Sequence, residues 1–477
     1  MKKFVVALIE SKWYSLNIED SNDFEKTLSY SPSNLYVTFQ TSDLIREFKT
    51  KKIKTLPKIV DLESFDKQMS QEGREFRGNR DWKALGFLRY HKVIDAEFKL
   101  SINNIEYFLG KISFLYDRLL KKDEVEKRRF ENIEIEINKL IFERQSLGVR
   151  IDIDLAKQRC AEIERKIYSI KNVLQLKYKV FTPDNLETQK YYLEENNYRI
   201  IKSYRYTFEI HKKEDEVCEL FYELIRNEKD LDSLLFIVSH WGGQEITFPS
   251  FLGFGTITSR IILRQPSLQN LRRTNRDIII PDIGMKFLYV DYSQFEAGIL
   301  ASLSSDSKLI ALYNSDIYED LAEKVLKNKA LRKEAKIIFY RYMYGDDSLS
   351  KEAKSYFQNF NELEKFKVEI EKELSEKKKI GAAYGNYRNA SNEDHIWALS
   401  HVVQSTASYI YKKALLNVQK EVRAAEFLIP MHDGTVYQIN ELEYDGIKAK
   451  IERIYKDAFK EVCPQIEPRL NCKERFE

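Results

Sequence analysis

The stretch Tyr289–Leu303, YVDYSQFEAGILASL, decides how the rest of the chain is read. An apolar, β-branched and aromatic run, Lys286-Phe-Leu-Tyr-Val, ends on an acid, Asp291. A helical pattern follows at once, with Phe295, Ile299, Leu300 and Leu303 at amphipathic spacing. The reading is therefore a buried strand that ends on Asp291 and turns into a helix. A carboxylate at such a rigid edge can hold a hard cation through oxygen rather than merely solvate a loop. One carboxylate is not a site, so partners are sought outward in both directions.

Composition narrows the search. With 477 residues the chain is too long for one core, and several lobes are expected. Basic residues number 78 and acidic 75, a net charge of +3, so any polyanion-binding surface has to be a local concentration of Lys and Arg. Four scattered cysteines (Cys160, Cys218, Cys463, Cys472) offer neither a zinc pattern nor a disulfide framework. No apolar run is long enough to span a bilayer, and MKKFVVALIESKW reaches polar residues too early for a signal peptide. A cytoplasmic protein without membrane contact is expected.

Along the chain, residues 1–75 mix short β-like runs (Phe4–Ile9, Leu35–Phe39, Ile59–Leu62) with polar turns, a small α/β unit. From about Asn104 to Leu147 the pattern is of long helices, with Gly148 as a stop. Residues 153–240 are helical and broken at Phe181-Thr-Pro-Asp, where Thr182 or Asp184 is the expected cap of the next helix. From Ile246 onward strands and helices alternate irregularly, the mark of an α+β body.

Three further constellations stand at intervals around Asp291. Upstream, GTITSRIILRQPSLQNLRR (Gly255–Arg273) concentrates Arg260, Arg264, Arg272 and Arg273 around Gln269 and Asn270. Guanidinium forks and amides suit phosphate oxygens and groove-edge acceptors, although a solvated basic loop would look the same. Downstream, RKEAKIIFYRYMYG (Arg332–Gly345) sets Arg332, Lys336, Tyr340 and Tyr344 four apart on one broad helix face. Two cations followed by two aromatics fit a nucleoside triphosphate; a core-facing tyrosine stripe beside solvated cations is the competing reading. Last, FLIPMHDGTVYQI (Phe427–Ile439) has two β-runs flanking Asp433-Gly434, a strong hairpin signal that needs no chemistry.

Taken together these strings resemble the family A DNA polymerases. D-Y-S-Q-x-E at 291–296 resembles motif A, R-x3-K-x7-YG at 332–345 motif B, and His432-Asp433 at a hairpin tip motif C. T-x-T-S-R…P-x-L-Q-N resembles the segment that packs against primer–template, with Ser259 in place of a Gly and Arg272 in place of a Pro. SHVVQSTA (Ser400–Ala407) resembles N-x-P-x-QGTAAD, with Ser400 and Ser405 replacing Asn and Gly, and Arg388 matches the last arginine of GR-x-R. Asp316-Ile-Tyr318 resembles DIH, Tyr replacing a histidine, and ERQSLGVRID resembles the entry to the thumb.

The resemblance implies roles residue by residue. Asp291 and Asp433 would hold two Mg²⁺ (Mn²⁺ as a substitute), joined by the backbone carbonyl of Tyr292. Gln294, Glu296, Arg332, Lys336, Tyr340 and Tyr344 would bind the dNTP: Glu296 excludes ribonucleotides, Arg332 and Lys336 meet the triphosphate, Tyr340 faces the sugar and Tyr344 stacks near the templating base. Arg260, Gln269, Asn270, Arg388, Gln404 and His432 would contact primer–template. Gly434 stands where the family carries Glu.

Before these motifs the resemblance fades. Residues 35–69 are similar to the later part of a 3′–5′ exonuclease domain, Asp43 and Asp61 matching two metal-binding acids, and the first strand with its D-x-E pair is expected to be missing. An inactive remnant is expected, with no 5′-nuclease region ahead of it. The whole reads as an α+β right-hand polymerase: 1–105 exonuclease-like, 106–245 entry helices and thumb, 246–310 palm, 311–395 fingers and 396–477 the C-terminal palm. Its partners would be primer–template DNA and dNTPs, acting on a monomer in the nucleoid or a host cytoplasm. Two alternatives remain: a catalytically weak or dead primer–template-binding accessory protein, and an RNA polymerase or unusual transferase sharing both aspartates.

Overall fold

The apolar runs KFVVALI and KWYSLN face each other across Glu10-Ser11, both at positive φ (48° and 63°), the geometry of a two-residue hairpin turn. In the computed structural model, which describes residues 2–20, 23–53, 55–73, 77, 80–240, 244–390 and 395–475, they form β1 (Lys3–Ile9) and β2 (Lys12–Asn17). With β3 (Phe24–Glu25), β4 (Leu35–Thr38) and β5 (Lys58–Asp61) they make one sheet in the order β3-β2-β1-β4-β5. β1, β4 and β5 run parallel, β2 is antiparallel to β1, and β3 is antiparallel to β2. Val5, Val37 and Val60 are fully buried in a core shared with Leu109, Ile112 and Leu115 of the helix Ile105–Leu120.

This sheet corrects the expectation for the N-terminal region. An opening antiparallel meander precedes β4 and β5, so a first strand is present; β1 is apolar from Phe4 to Ile9 and carries no pair of acids. Asp61 is not turned to a metal site: its carboxylate caps the helix Leu62–Met69, accepting from Ser64 N (2.8 Å) and Thr41 Oγ1 (2.8 Å). Asp43 pairs with Arg46 on the surface (3.2 Å).

The chain divides into two compact units. One comprises Gly148–Ser250 and Leu263–Asp282. Gly148, at φ +83°, ends the helix Ile135–Leu147, and β6 (Val149–Arg150) pairs with β7 (Ile246–Thr247). Between them the long helices Ile153–Leu176 and Glu216–His240 pack on each other. Arg272 holds Asp230 (2.8 Å) and Arg159 holds Asp277 (2.8 Å), fastening 263–282 to those two helices. The cap expected at Thr182 or Asp184 is Asn185, whose side chain accepts from Glu187 N (2.8 Å).

The other unit comprises the N-terminal region, residues 251–262 and residues 283–476. After the short strands β8 (Ser250–Leu252) and β9 (Ile262–Arg264) comes β10 (Met285–Ser293), followed by β11 (Lys379–Ala382), β12 (Gly385–Asn389), β13 (Ala425–Pro430), β14 (Gly434–Asn440) and β15 (Arg469–Lys473). The central sheet has the order β13-β14-β10-β15, so β10 has a neighbour on each side. That is why it does not end on Asp291 as expected: Asp291 pairs with Gly434 on one side and Asn471 on the other, and the strand continues to Ser293. Gln294, at φ +54°, breaks it, and the helix Phe295–Ser304 begins. Helix and strand content together make the fold α+β. Among the described residues no helix is long and apolar enough to cross a membrane.

Candidate active site

Three independent segments meet over the middle of β10. The β13–β14 hairpin supplies Asp433: Met431 N bonds to Gly434 O (2.8 Å), closing the turn over His432 and Asp433. Gly434 is thus already in the strand, at the rung facing Asp291, rather than at the turn the Asp-Gly pair suggested. Tyr292 N donates to Asp433 O (3.2 Å), pinning the hairpin tip to β10. Asp433 and Asp291 are consequently brought together. Burial, then the Asp433 charge, pushes the Asp291 carboxyl up to about 6, although Tyr289, Lys336 and Asn471 pull the other way. Two acids that repel when ionised fit a divalent cation. Among the described residues no group of three His, Cys, Asp or Glu gathers, and Mg²⁺, which keeps water and substrate oxygens, asks for no more than one or two carboxylates.

Tyr292 contributes its backbone here, not its ring. The ring is buried, stacks on Phe295 (centroids 4.2 Å) and donates its hydroxyl to Tyr455 O (2.7 Å).

Glu296 lies in the first turn of the helix Phe295–Ser304, 2% exposed. Its Oε1 is 2.6 Å from Arg260 Nη2, and the same nitrogen is 3.7 Å from Asp433. Burial raises the Glu296 carboxyl while Arg260 lowers it. For Arg260, burial pulls the guanidinium down, but Asp433 and Glu296 outweigh it and hold it above its usual range. Gln404, on the long helix Ala398–Glu421, donates to Tyr344 Oη (2.6 Å) and reaches Glu296 Oε2 (3.5 Å). Glu296, Arg260, Gln404 and Tyr344 are therefore one hydrogen-bonded network beside the two aspartates.

The helix Arg332–Met343 presents the expected face, with Tyr344 immediately past its end. Tyr340 and Tyr344 stack (6.2 Å), and Lys336 lies 5.8 Å from the Tyr340 ring. Two features of this face were not foreseen. Arg332 is ion-paired with Asp316 (2.6 and 3.0 Å), which also caps the helix Ile317–Val325. Tyr318 projects from that helix beneath both cations, 5.2 Å from Arg332 and 5.8 Å from Lys336. Burial, then Tyr318, Glu296 and Asp433, drive the Tyr340 hydroxyl far up, so it remains a donor.

Other expected site residues take structural places. Gln294 accepts from Ile317 N (3.2 Å), tying the end of β10 to the next helix pair. Arg388 lies 3.8 Å over Trp397, and His432 is exposed at the hairpin tip. Gln269 and Asn270 belong to the other unit: Gln269 accepts from Leu263 N (2.6 Å) and Asn270 donates to Ser267 Oγ (2.8 Å), both within their loop. Asn471, opposite Asp291 on β15, was missed because a short polar C-terminal strand gives little pattern.

The departures at glycine positions are compensated. Ser259 sits at φ +59°, and its hydroxyl meets Arg129 Nη2 (2.6 Å) and Ser408 Oγ (2.7 Å). Arg129 in turn pairs with Glu134, at a π turn of its helix, and Glu134 with the buried Lys412 (2.6 Å). Ser405 accepts from Asn386 Nδ2 (2.8 Å).

Comparison with known proteins places the chain among polymerases by sequence and fold. A sequence model of DNA polymerase family A matches residues 156–471. DNA polymerase I of Caldicellulosiruptor bescii is 24% identical over 400 residues, 72% of this chain and 47% of that protein. DNA polymerase I of Borreliella burgdorferi is 25% identical over 406 residues, 72% of this chain and 44% of that protein. The chain spans about half the length of these curated relatives. In fold it is similar to the POL domain of Pol1 from M. smegmatis, solved in complex with DNA primer-template and dNTP. That match has a TM-score of 0.76 at 16% identity and covers 99% of this chain and 95% of the other.

Proposed function

The chain belongs to DNA polymerase family A, and we propose that it carries out template-directed DNA synthesis, extending a primer 3′-hydroxyl with dNTPs and releasing pyrophosphate. The observation that carries this reading is the meeting of Asp291 and Asp433 beneath a helix face bearing Lys336, Tyr340 and Arg332.

Asp291, Asp433 and the Tyr292 carbonyl would hold Mg²⁺. When bound, two such ions would supply activation of the primer hydroxyl and charge neutralisation at the triphosphate. The chain's own residues do the rest. Lys336 and Arg332 meet the triphosphate and the departing pyrophosphate, Arg332 exchanging Asp316 for phosphate oxygens. Glu296, held rigid by Arg260 and Gln404, crowds the sugar 2′ position. Tyr340 donates its hydroxyl toward the sugar and triphosphate. Arg260, Gln404, Arg388 and His432 contact the duplex from one unit, and Gln269 and Asn270 contact DNA from the other. In domain terms, Gly148–Ser250 with Leu263–Asp282 is read as the thumb. The helix Phe295–Ser304 and the sheet β13-β14-β10-β15 are read as palm, the helices from 307 to 377 as fingers, and the N-terminal sheet as a nuclease-like domain without activity. Primer–template DNA and dNTPs are the partners, and a monomer suffices.

The test is primer extension by the parent, Asp291→Ala and Asp433→Ala proteins with Mg²⁺, Mn²⁺ or EDTA. Synthesis is expected only in the parent with metal; undiminished synthesis by either variant overturns the mechanism.

A further inference from the structure

A cleft of about 370 Å³ opens beside Arg260, Tyr344 and Gln404, and its far wall comes from the N-terminal region: Lys67, Arg77 and Trp82. All of it lies within one compact unit. Three cations and two aromatic rings line the cleft, along with hydroxyls from two threonines; no carboxylate does. Such a lining selects a polyanion with flat apolar faces, which is single-stranded nucleic acid.

The Trp82 ring is fixed in place at the cleft by two cations. Lys67 Nζ stands 4.8 Å from its centroid and the Arg80 guanidinium 4.7 Å. Each cation is fixed from behind, Lys67 by Glu63 (2.6 Å) and Arg80 by Asp66 and Glu72. Arg77 is anchored through Nη2 to Lys67 O (2.6 Å), while its buried Nε–H has no acceptor among the described residues. A buried guanidinium N–H without an acceptor is costly, and a phosphate oxygen would satisfy it.

We propose that the N-terminal region receives the unpaired template strand just beyond the templating base, one base lying against Trp82 and a neighbouring phosphate accepting from Arg77. The inference rests on the polymerase reading. The template is favoured over a frayed primer end for two reasons. Tyr344, which the motif match sets beside the templating base, forms the facing wall. A primer end moving this way would also meet no catalytic acids, since Asp61 is committed to a helix cap.

The test compares three hairpin primer–templates: one blunt, one with a short unpaired template overhang, and one with a mismatched primer terminus. Affinities of the full-length parent, Trp82→Ala and Trp82→Phe are measured by fluorescence anisotropy at one fixed salt concentration. The parent is expected to prefer the overhang, Trp82→Ala to lose about tenfold of that preference, and Trp82→Phe to keep most of it. 2-Aminopurine at the first unpaired template position should be quenched by the parent and not by Trp82→Ala. An unchanged preference in Trp82→Ala overturns the proposal, as does a loss confined to the mismatched primer. If Trp82→Ala unfolds early, Arg77→Gln with the same hairpins decides by the same criteria. A parent that binds none of the three hairpins overturns the polymerase reading, and this inference with it.

Discussion

Gly434 stands directly across the β10–β14 ladder from Asp291, so close that a Cβ at 434 would collide with the carbonyl oxygen of Val290 and lie 2.9 Å from the Asp291 Cα. These neighbours are backbone in the centre of a four-stranded sheet and cannot rotate away. The absence of the family's acid after Asp433 is therefore built into the spacing of the two strands.

Restoring the family residue should consequently do harm. Gly434→Ala is expected to cost on the order of 1–3 kcal/mol in urea unfolding, the usual penalty of forcing atoms into a packed core. Because the strand that moves carries Asp433, primer extension should fall on the order of 100-fold. Gly434→Glu should be worse on both measures. A Gly434→Glu protein as active as the parent would refute the argument.

Glu296 supplies a second test. Removing its side chain frees Arg260 to turn fully to Asp433, already 3.7 Å away, where it would compete with bound metal. Glu296→Ala should therefore lower dNTP incorporation and raise the Mg²⁺ concentration needed, while the ratio of NTP to dNTP incorporation rises. Single-nucleotide extension over a magnesium series reads all three effects.

Tyr340 presents a hydroxyl that burial keeps protonated at any working pH. That donor can stand in for the missing 3′-hydroxyl of a dideoxynucleotide, so the parent should be terminated readily by ddNTPs. Tyr340→Phe should be at least tenfold more resistant, on the order of one lost hydrogen bond to a charged acceptor. Equal termination ladders from the two proteins would count against this role.

His401 sets a pH dependence of stability. Its imidazole is buried, and burial drives it down to about 3; the Asn386 carbonyl (2.9 Å) opposes this and nearby Arg388, Arg77 and Arg129 reinforce it. The folded protein thus holds His401 neutral while the unfolded chain takes up a proton near 6.5. Stability is full above about pH 6.5 and is lost as pH falls toward 3, by at most about 1.4 kcal/mol per pH unit from this group. His401→Gln should flatten the decline of melting temperature between neutral and mildly acidic pH. An identical slope would exclude His401 as a source.

Much of this site was legible because its chemistry lies in short contiguous strings. The strand before Asp291, the helix bearing Glu296, the hairpin around Asp433 and the Arg332–Tyr344 face each follow from local periodicity. What escaped was set by contacts between distant segments. Asp291 lies within its strand rather than at its end because β15, nearly 180 residues later, pairs with it. Asp316 and Tyr318 were visible as a string, but their packing beneath Arg332 and Lys336 depends on how two helices cross. The β1–β2 hairpin went unread because its turn is Glu-Ser, without the Gly or Asn that normally announces positive φ. Asp61 looked like a ligand because a helix cap and a metal-binding acid present the same residue in the same place, just after a strand.

The serines at 259 and 405 bear on how this chain can be altered. Each stands where the motif it resembles has glycine, and each is met by partners outside its own segment, Arg129 and Ser408 for one, Asn386 for the other. Reverting Ser259 alone would relieve the backbone at φ +59° but strip a buried arginine of an acceptor. Consensus repair one residue at a time should therefore climb against epistasis, and chimaeras with relatives should succeed only when both sides of each seam are exchanged together.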